Sequence, residues 1–200
     1  RVSAWGLGNI DPSTATAQLV RALDDADANV RETAAWALGQ GSDHAAVAGL
    51  GRRLHGADDA HVRHTAAWAL AQVDDRAAVP LLGAALKSDR DADVRAMSAW
   101  ALAQLDAKEA VPLLAAALTD SSADVRSNAA WGIGSIGAEH APAALISALK
   151  DPASGVREKA AWALGTISDP AGVPGLRDVL KDASSDVRKA ALWALTQMDD

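Results

Sequence analysis

The chain has 200 residues, half of them hydrophobic, and 26 acidic side chains against 19 basic ones give a net charge of −7. With no Cys there is no disulfide framework, Cys-based zinc site or thiol nucleophile. The acidic balance counts against a phosphate-backbone partner, no uninterrupted run of about 18 apolar residues predicts a membrane-crossing helix, and the first residues do not read as a secretory leader.

A repeat organises the whole sequence. All seven tryptophans, Trp5, Trp36, Trp68, Trp100, Trp131, Trp162 and Trp193, recur in one register. Their period is about 31–32 residues, the length of one supersecondary unit in a repeat protein. Each sits in the same phrase, fullest at Val30-Arg31-Glu32-Thr33-Ala34-Ala35-Trp36-Ala37-Leu38-Gly39 and at Val156 to Gly165. A leucine (Leu23, Leu54, Leu86, Leu118, Leu149, Leu180) follows each of the first six tryptophans at a fixed distance. Because that distance is constant, the two extra residues fall in turns, placed at Gly56 to Asp59 and Ser88 to Asp91.

Each unit reads as two helices, A with the tryptophan and B after it. In chain order, Asp11-Pro12 opens a helix B, since Pro suits a first turn that has no donor to lose. Asp27 caps the next helix A, which ends at Gly41-Ser42. Val79, Leu82 and Leu86 recur at helical spacing in a later helix B. Asp91, Ser122 and Ser184 are expected to cap further A helices, Gly137 to end one, and Asp169-Pro170 to open another helix B. Gly39, Gly134 and Gly165 share one position, which predicts close helix approach. Such a pair cannot bury its own apolar stripe, so neighbours must stack. The expectation is an all-α, right-handed solenoid of about six and a half repeats forming one domain over 1–200. Arg1 aligns with Glu32, and Asp199-Asp200 falls where a seventh helix B would start. The chain is therefore expected to belong to a longer polypeptide.

The Val-Arg start, the Ala-Ala, the Ala-Leu-Gly near the helix end and the Asp-Pro or Val-Pro of helix B resemble the short HEAT-like repeats of the phycobilisome-lyase type. The resemblance covers essentially the whole chain; placing Trp at a variable position departs from the commonest pattern. It implies an α-solenoid whose A helices line a concave groove, a fold that serves many tasks.

Helical arithmetic then orients the tryptophans. With Val30 at zero, Ala34 falls at about 40°, Leu38 at about 80° and Ala37 at about 340°, which marks the core side. Trp36 falls at about 240°, between Glu32 at about 200° and Gln40 at about 280°, on the opposite side. The Trp row is expected to face the groove. Four places after the first Trp stands Asn9, followed in register by Gln40, Gln72, Gln104, Ser135, Thr166 and Gln197, so each Trp has an amide or hydroxyl neighbour. The expected partner is a protein or extended peptide, held by indole faces and by amides that both donate and accept. This surface is similar to the Trp and Asn arrays of armadillo solenoids. Equally, the rings could lie over small residues of adjacent A helices, such as Ala35 and Ala67, and knit the stack together.

Other residue groups have plainer readings. Arg31, Arg63, Arg95, Arg126, Arg157 and Arg188 fall at about 100°, towards a neighbouring repeat. They are expected to form a charge ladder with turn acids such as Asp93, Asp124 and Asp186, exposed pairs that contribute at most about 1 kcal/mol each. His61 and His64 near Asp58 and Asp59 lack a third constrained ligand, so no metal is expected. The four glutamates, Glu32, Glu109, Glu139 and Glu158, are scattered, and no phosphate loop or nucleophile elbow occurs. No catalytic residue and no cofactor is nominated, and the chain is expected not to be an enzyme. The alternative is an enzyme-associated module: a bilin lyase subunit or a regulatory segment of a larger enzyme. Lack of Cys suits cytoplasm and bacterial periplasm alike.

Overall fold

A computed structural model describes residues 12–56 and 58–198, with side-chain detail from Thr16 onward. The described residues are helical without strands. In chain order the helices are α1 (Pro12–Ala22), α2 (Ala28–Gly41), α3 (Val47–Leu54), α4 (Ala60–Val73), α5 (Ala78–Ser88) and α6 (Ala92–Gln104). There follow α7 (Val111–Ala117), α8 (Ala123–Ile136), α9 (Ala143–Ser147), α10 (Ser154–Ile167), α11 (Val173–Val179) and α12 (Ser185–Met198). The tryptophan helices are the even-numbered ones, 13 or 14 residues each. The B helices are shorter; three begin as 3-10 turns, at His44–Ala46, Lys108–Ala110 and Pro170–Gly172, and α9 continues as one, Ala148–Lys150.

Caps fix the length of the A helices. The carboxylates of Asp27, Asp59 and Asp91 accept first-turn N–H groups of α2, α4 and α6. Ser122 occupies the same place before α8, but its hydroxyl makes no capping bond. Its own N–H donates to Asp120 Oδ1 at 2.8 Å, as those of Asp27 and Asp91 do to Asp25 and Asp89. At the other end a left-handed residue reverses the chain, namely Ser42, Asp74, Gly137 and Ser168 at φ 50°, 55°, 65° and 54°. Asp169 caps the 3-10 turn that leads into α11; Asp11 lies outside the described residues.

The chain divides into two compact units, 1–105 and 106–200. In the first, α2 packs on α4 and α4 on α6, while α1, α3 and α5 each come closest to the A helix that follows them. In the second, α8 packs on α10 and α10 on α12, with α7, α9 and α11 similarly placed. The closest backbone pairing is therefore between successive A helices, and each helix B leans on the helix A that follows it.

Each unit has a leucine core. Leu19, Leu50, Leu82, Leu114, Leu145 and Leu176 are fully buried, and one helical turn further on Leu23, Leu54, Leu86, Leu118 and Leu149 are buried beside them. Leu180 is 37 % exposed. From the A helices come Ala34, Leu38, Leu70, Leu102, Ile133 and Leu164. Each such leucine contributes roughly 2–3 kcal/mol on leaving water, and Ala at the flanking positions lets the helices approach closely enough to share that core.

Candidate functional site

One face of the A helices carries the tryptophans. Trp36, Trp68, Trp100, Trp131 and Trp162 are half-buried, and Trp193 is 39 % exposed; Trp5 and Asn9 lie outside the described residues. The buried side of the ring has a definite seat. A Cβ built on Gly39 would lie 2.7 Å from Cζ3 of Trp68, one on Gly134 2.8 Å from Cζ3 of Trp162, and one on Gly165 2.7 Å from Cζ3 of Trp193. The glycine three places after one Trp therefore leaves the space into which the next ring's edge fits. In the same places the Cβ would meet backbone: Ala69 Cα at 3.0 Å, and Ala163 Cα and Ala194 Cα at 2.7 Å each. Such backbone contact is the close approach that the recurring glycines imply. Ala71 holds the corresponding position in α4, and α4 and α6 pack less closely than the glycine-bearing pairs.

In the 106–200 unit, Trp131, Trp162 and Trp193 line an open depression of about 420 Å3. Glu158, Lys159, Asp186 and Lys189 complete its walls with Ala190. The charges are paired: Lys159 Nζ is 3.3 Å from Glu158 Oε1, and Lys189 Nζ is 3.2 Å from Asp186 Oδ1. Of the polar row, Gln40, Gln104, Ser135, Thr166 and Gln197 are exposed and Gln72 is half-buried. Thr166 Oγ1 donates to Ala163 O at 2.8 Å and approaches Gly134 O at 3.2 Å, which leaves its lone pairs open. Gln197 makes only a 3.4 Å contact with Thr196 Oγ1, so its amide keeps hydrogen-bonding capacity.

A second row stiffens the frame that holds these rings. The arginines do bridge neighbouring repeats, but their acids are Asp58, Asp89, Asp151 and Asp182 rather than Asp93, Asp124 and Asp186. Arg63 grips Asp89 through Nε and Nη2 at 2.7 and 2.9 Å, Arg126 grips Asp151 at 2.6 and 2.9 Å, and Arg157 grips Asp182 at 2.7 and 2.8 Å. Arg31 brings both Nε and Nη2 to one oxygen of Asp58, Oδ1. Each Nη1 donates to a carbonyl in the turn before its own helix, as from Arg63 to Asp58 O at 2.6 Å and from Arg157 to Asp151 O at 2.8 Å. One turn aspartate thus receives the preceding arginine on its carboxylate and its own repeat's arginine on its carbonyl. The expected acids are a helix turn further on, already inside the A helices, where the arginine of the preceding repeat does not find them.

These pairs are not exposed, contrary to expectation. The side chains of Arg63 and Asp89 are 4 % and 6 % accessible, those of Arg126 and Asp151 12 % and 8 %. Burial alone would raise the Asp89 carboxyl, but the Arg63 guanidinium and the Asp91 N–H hold it below the usual carboxylate value. Arg126 does the same for Asp151 and Arg157 for Asp182, and each of these guanidiniums is held above its ordinary value in return.

The remaining polar groups converge less. Asp58 is taken up by Arg31 and Arg53, so it does not join His61 and His64, and among the described residues no three His, Asp or Glu side chains are grouped to hold a metal. Another depression, about 260 Å3, lies beside His55 and Arg90, where Arg63 is already committed to Asp89. Among the described residues no helix is long and apolar enough to cross a membrane.

The family model for HEAT repeats matches residues 1–71, 47–124 and 111–196, so the chain belongs to the HEAT-repeat family. Among solved structures it is similar to the complex of CpcE and CpcF of phycocyanin lyase from Nostoc, at 27 % identity and a TM-score of 0.65, covering 91 % of this chain and 76 % of that one. It is similar to YibA of Escherichia coli at 25 % identity and a TM-score of 0.68, covering 96 % and 74 %. An engineered protein aligns at 25 % identity and a TM-score of 0.66, covering 91 % and 95 %. No curated protein matches the chain by sequence. The chain is thus an α-solenoid repeat scaffold with HEAT-like repeats of the kind found in the phycocyanin lyase.

Proposed function

We propose that the chain is a non-catalytic scaffold that holds an extended peptide segment of a partner protein along its tryptophan face. The observation that carries this reading is the depression lined by Trp131, Trp162 and Trp193. The edges of Trp162 and Trp193 are locked against Gly134 and Gly165, so their open faces are pre-positioned and little side-chain entropy is lost on binding. The amides and hydroxyls of Gln40, Gln72, Gln104, Ser135, Thr166 and Gln197 supply donors and acceptors for a peptide backbone. Titration of extended peptides, followed by Trp fluorescence, tests it. Trp100→Ala and Trp131→Ala should weaken binding while helicity is retained. Binding that persists at full strength without these rings refutes the reading.

The likeness to the CpcE–CpcF complex favours a second reading, a module that assists an enzyme such as a bilin lyase, with flat indoles against a flat pigment. Incubation with bilin and a visible absorbance scan separates the two: a shifted pigment band supports the lyase-associated module, and an unchanged band removes it.

A further inference from the structure

We propose that the tryptophan face of the 106–200 unit takes a proline-rich segment in the polyproline II conformation, one ligand turn per repeat. This rests on the peptide-scaffold reading and narrows it to one backbone shape and one side-chain chemistry.

The first argument is spacing. A Cβ on Gly134 would lie 2.7 Å from Ala163 Cα and one on Gly165 2.7 Å from Ala194 Cα, so α8, α10 and α12 touch backbone to backbone at both steps. With Cα atoms about 2.3 Å from a helix axis, this contact places successive axes about 8–9 Å apart, the short end of helix packing. Trp131, Trp162 and Trp193 hold the same register in those helices, so the rings recur at that interval. A polyproline II helix has three residues per turn and rises about 3.1 Å per residue, and so presents the same face every ~9.3 Å. A β-strand presents the same face every ~6.7 Å. Against about 8–9 Å the strand falls about 1.3–2.3 Å short at each repeat, and the polyproline turn overshoots by about 0.3–1.3 Å.

The second argument is chemistry. Glu158 and Asp186 are each paired with a lysine, so the depression has no net charge with which to select an ionic peptide. Fixed indole faces suit the rigid, apolar proline ring. Proline has no N–H, so such a ligand offers carbonyls and needs donors. Lys159 and Lys189 have three N–H bonds each, and the Ser135 hydroxyl and Gln197 amide stand on the same helix face.

The test uses the whole chain and three peptides of equal length: proline at every third position, the same residues with proline at every second, and a Val/Thr-rich β-forming sequence. The first should bind about tenfold more tightly than the second, with a change in Trp fluorescence and little dependence on salt. Trp162→Met, which fills the seat on Gly134 without a flat face, should abolish the preference. Should that variant lose helicity, Lys189→Ala, at an exposed side chain, should still lower affinity severalfold. Equal binding of the two proline peptides, or tighter binding of the Val/Thr peptide, overturns the polyproline assignment and leaves the scaffold reading standing. If none of the three perturbs the tryptophans, both fall.

Discussion

Gly134→Ala tests the seat of the tryptophan ring. In an exposed helix interior this change gains about 1 kcal/mol of helix propensity. Here the new methyl would lie 2.7 Å from both Cα and Cβ of Ala163 and 2.8 Å from Trp162 Cζ3. Carbon atoms in ordinary contact stand about 3.5–4.0 Å apart, so α10 and its indole must retreat by about 1 Å. Backbone cannot rotate away as a side-chain tip can, and overpacking of this kind costs roughly 1–3 kcal/mol. The net expectation is a loss of about 1 kcal/mol. Gly155→Ala supplies the control, because its Cβ would meet nothing within 4 Å, and a gain of about 0.5 kcal/mol is expected. Urea unfolding followed by circular dichroism should separate the variants by about 1.5 kcal/mol. For a chain of this size that corresponds to roughly 3–6 °C in Tm. Equal stabilisation by the two substitutions would refute the close approach and the ring seat together.

The arginine clamp yields two further expectations. Arg126→Ala should cost about 2–3 kcal/mol in the same unfolding assay, above the ~1 kcal/mol of an exposed pair, because it leaves the Asp151 carboxylate buried without its partner. Arg126→Lys should recover only part of this, since one ammonium cannot reproduce the two-point grip. The carboxyls of Asp89, Asp151 and Asp182 sit below their ordinary value in the folded chain. Their stabilisation is therefore complete above the unfolded value of 3.8 and drains away as pH falls below it. Urea midpoints should be flat from neutral pH to the upper end of the carboxylate range and then fall steeply; a midpoint that rises on acidification contradicts the clamp. Ser42→Gly, at a left-handed φ of 50°, should stabilise the chain by about 0.5–1 kcal/mol in thermal melts.

Periodicity made the helices legible and left the turns obscure. The Trp and Leu registers located the A helices and five buried leucines of the B helices, because a side chain repeated at one helical angle must meet the same environment each time. The same arithmetic aimed the arginines at a neighbouring repeat but named the wrong acids. Which aspartate meets an arginine depends on how the chain turns, and turn geometry has no helical period. The signal was nonetheless present: Asp25, Asp89, Asp120, Asp151 and Asp182 share one place in the turn ahead of a Trp helix, while the third repeat shifts its acid by one place, to Asp58. The recurring Gly39, Gly134 and Gly165 announced close approach, yet their role as seats for the next indole needed the three-dimensional neighbour. The expected Ser122 cap did not form, although Asp27 and Asp91, whose own N–H groups likewise donate to the turn acids Asp25 and Asp89, do cap their helices; nothing in the turn explains the difference.

The most direct measurement is an NMR titration of uniformly 15N-labelled protein, read at the tryptophan indoles and the backbone amides. The account predicts that a bound peptide shifts the indole N–H signals of Trp131, Trp162 and Trp193 while core amides such as those of Leu145 and Leu164 stay in place. A peptide that binds tightly and leaves all three indole signals unmoved would contradict it.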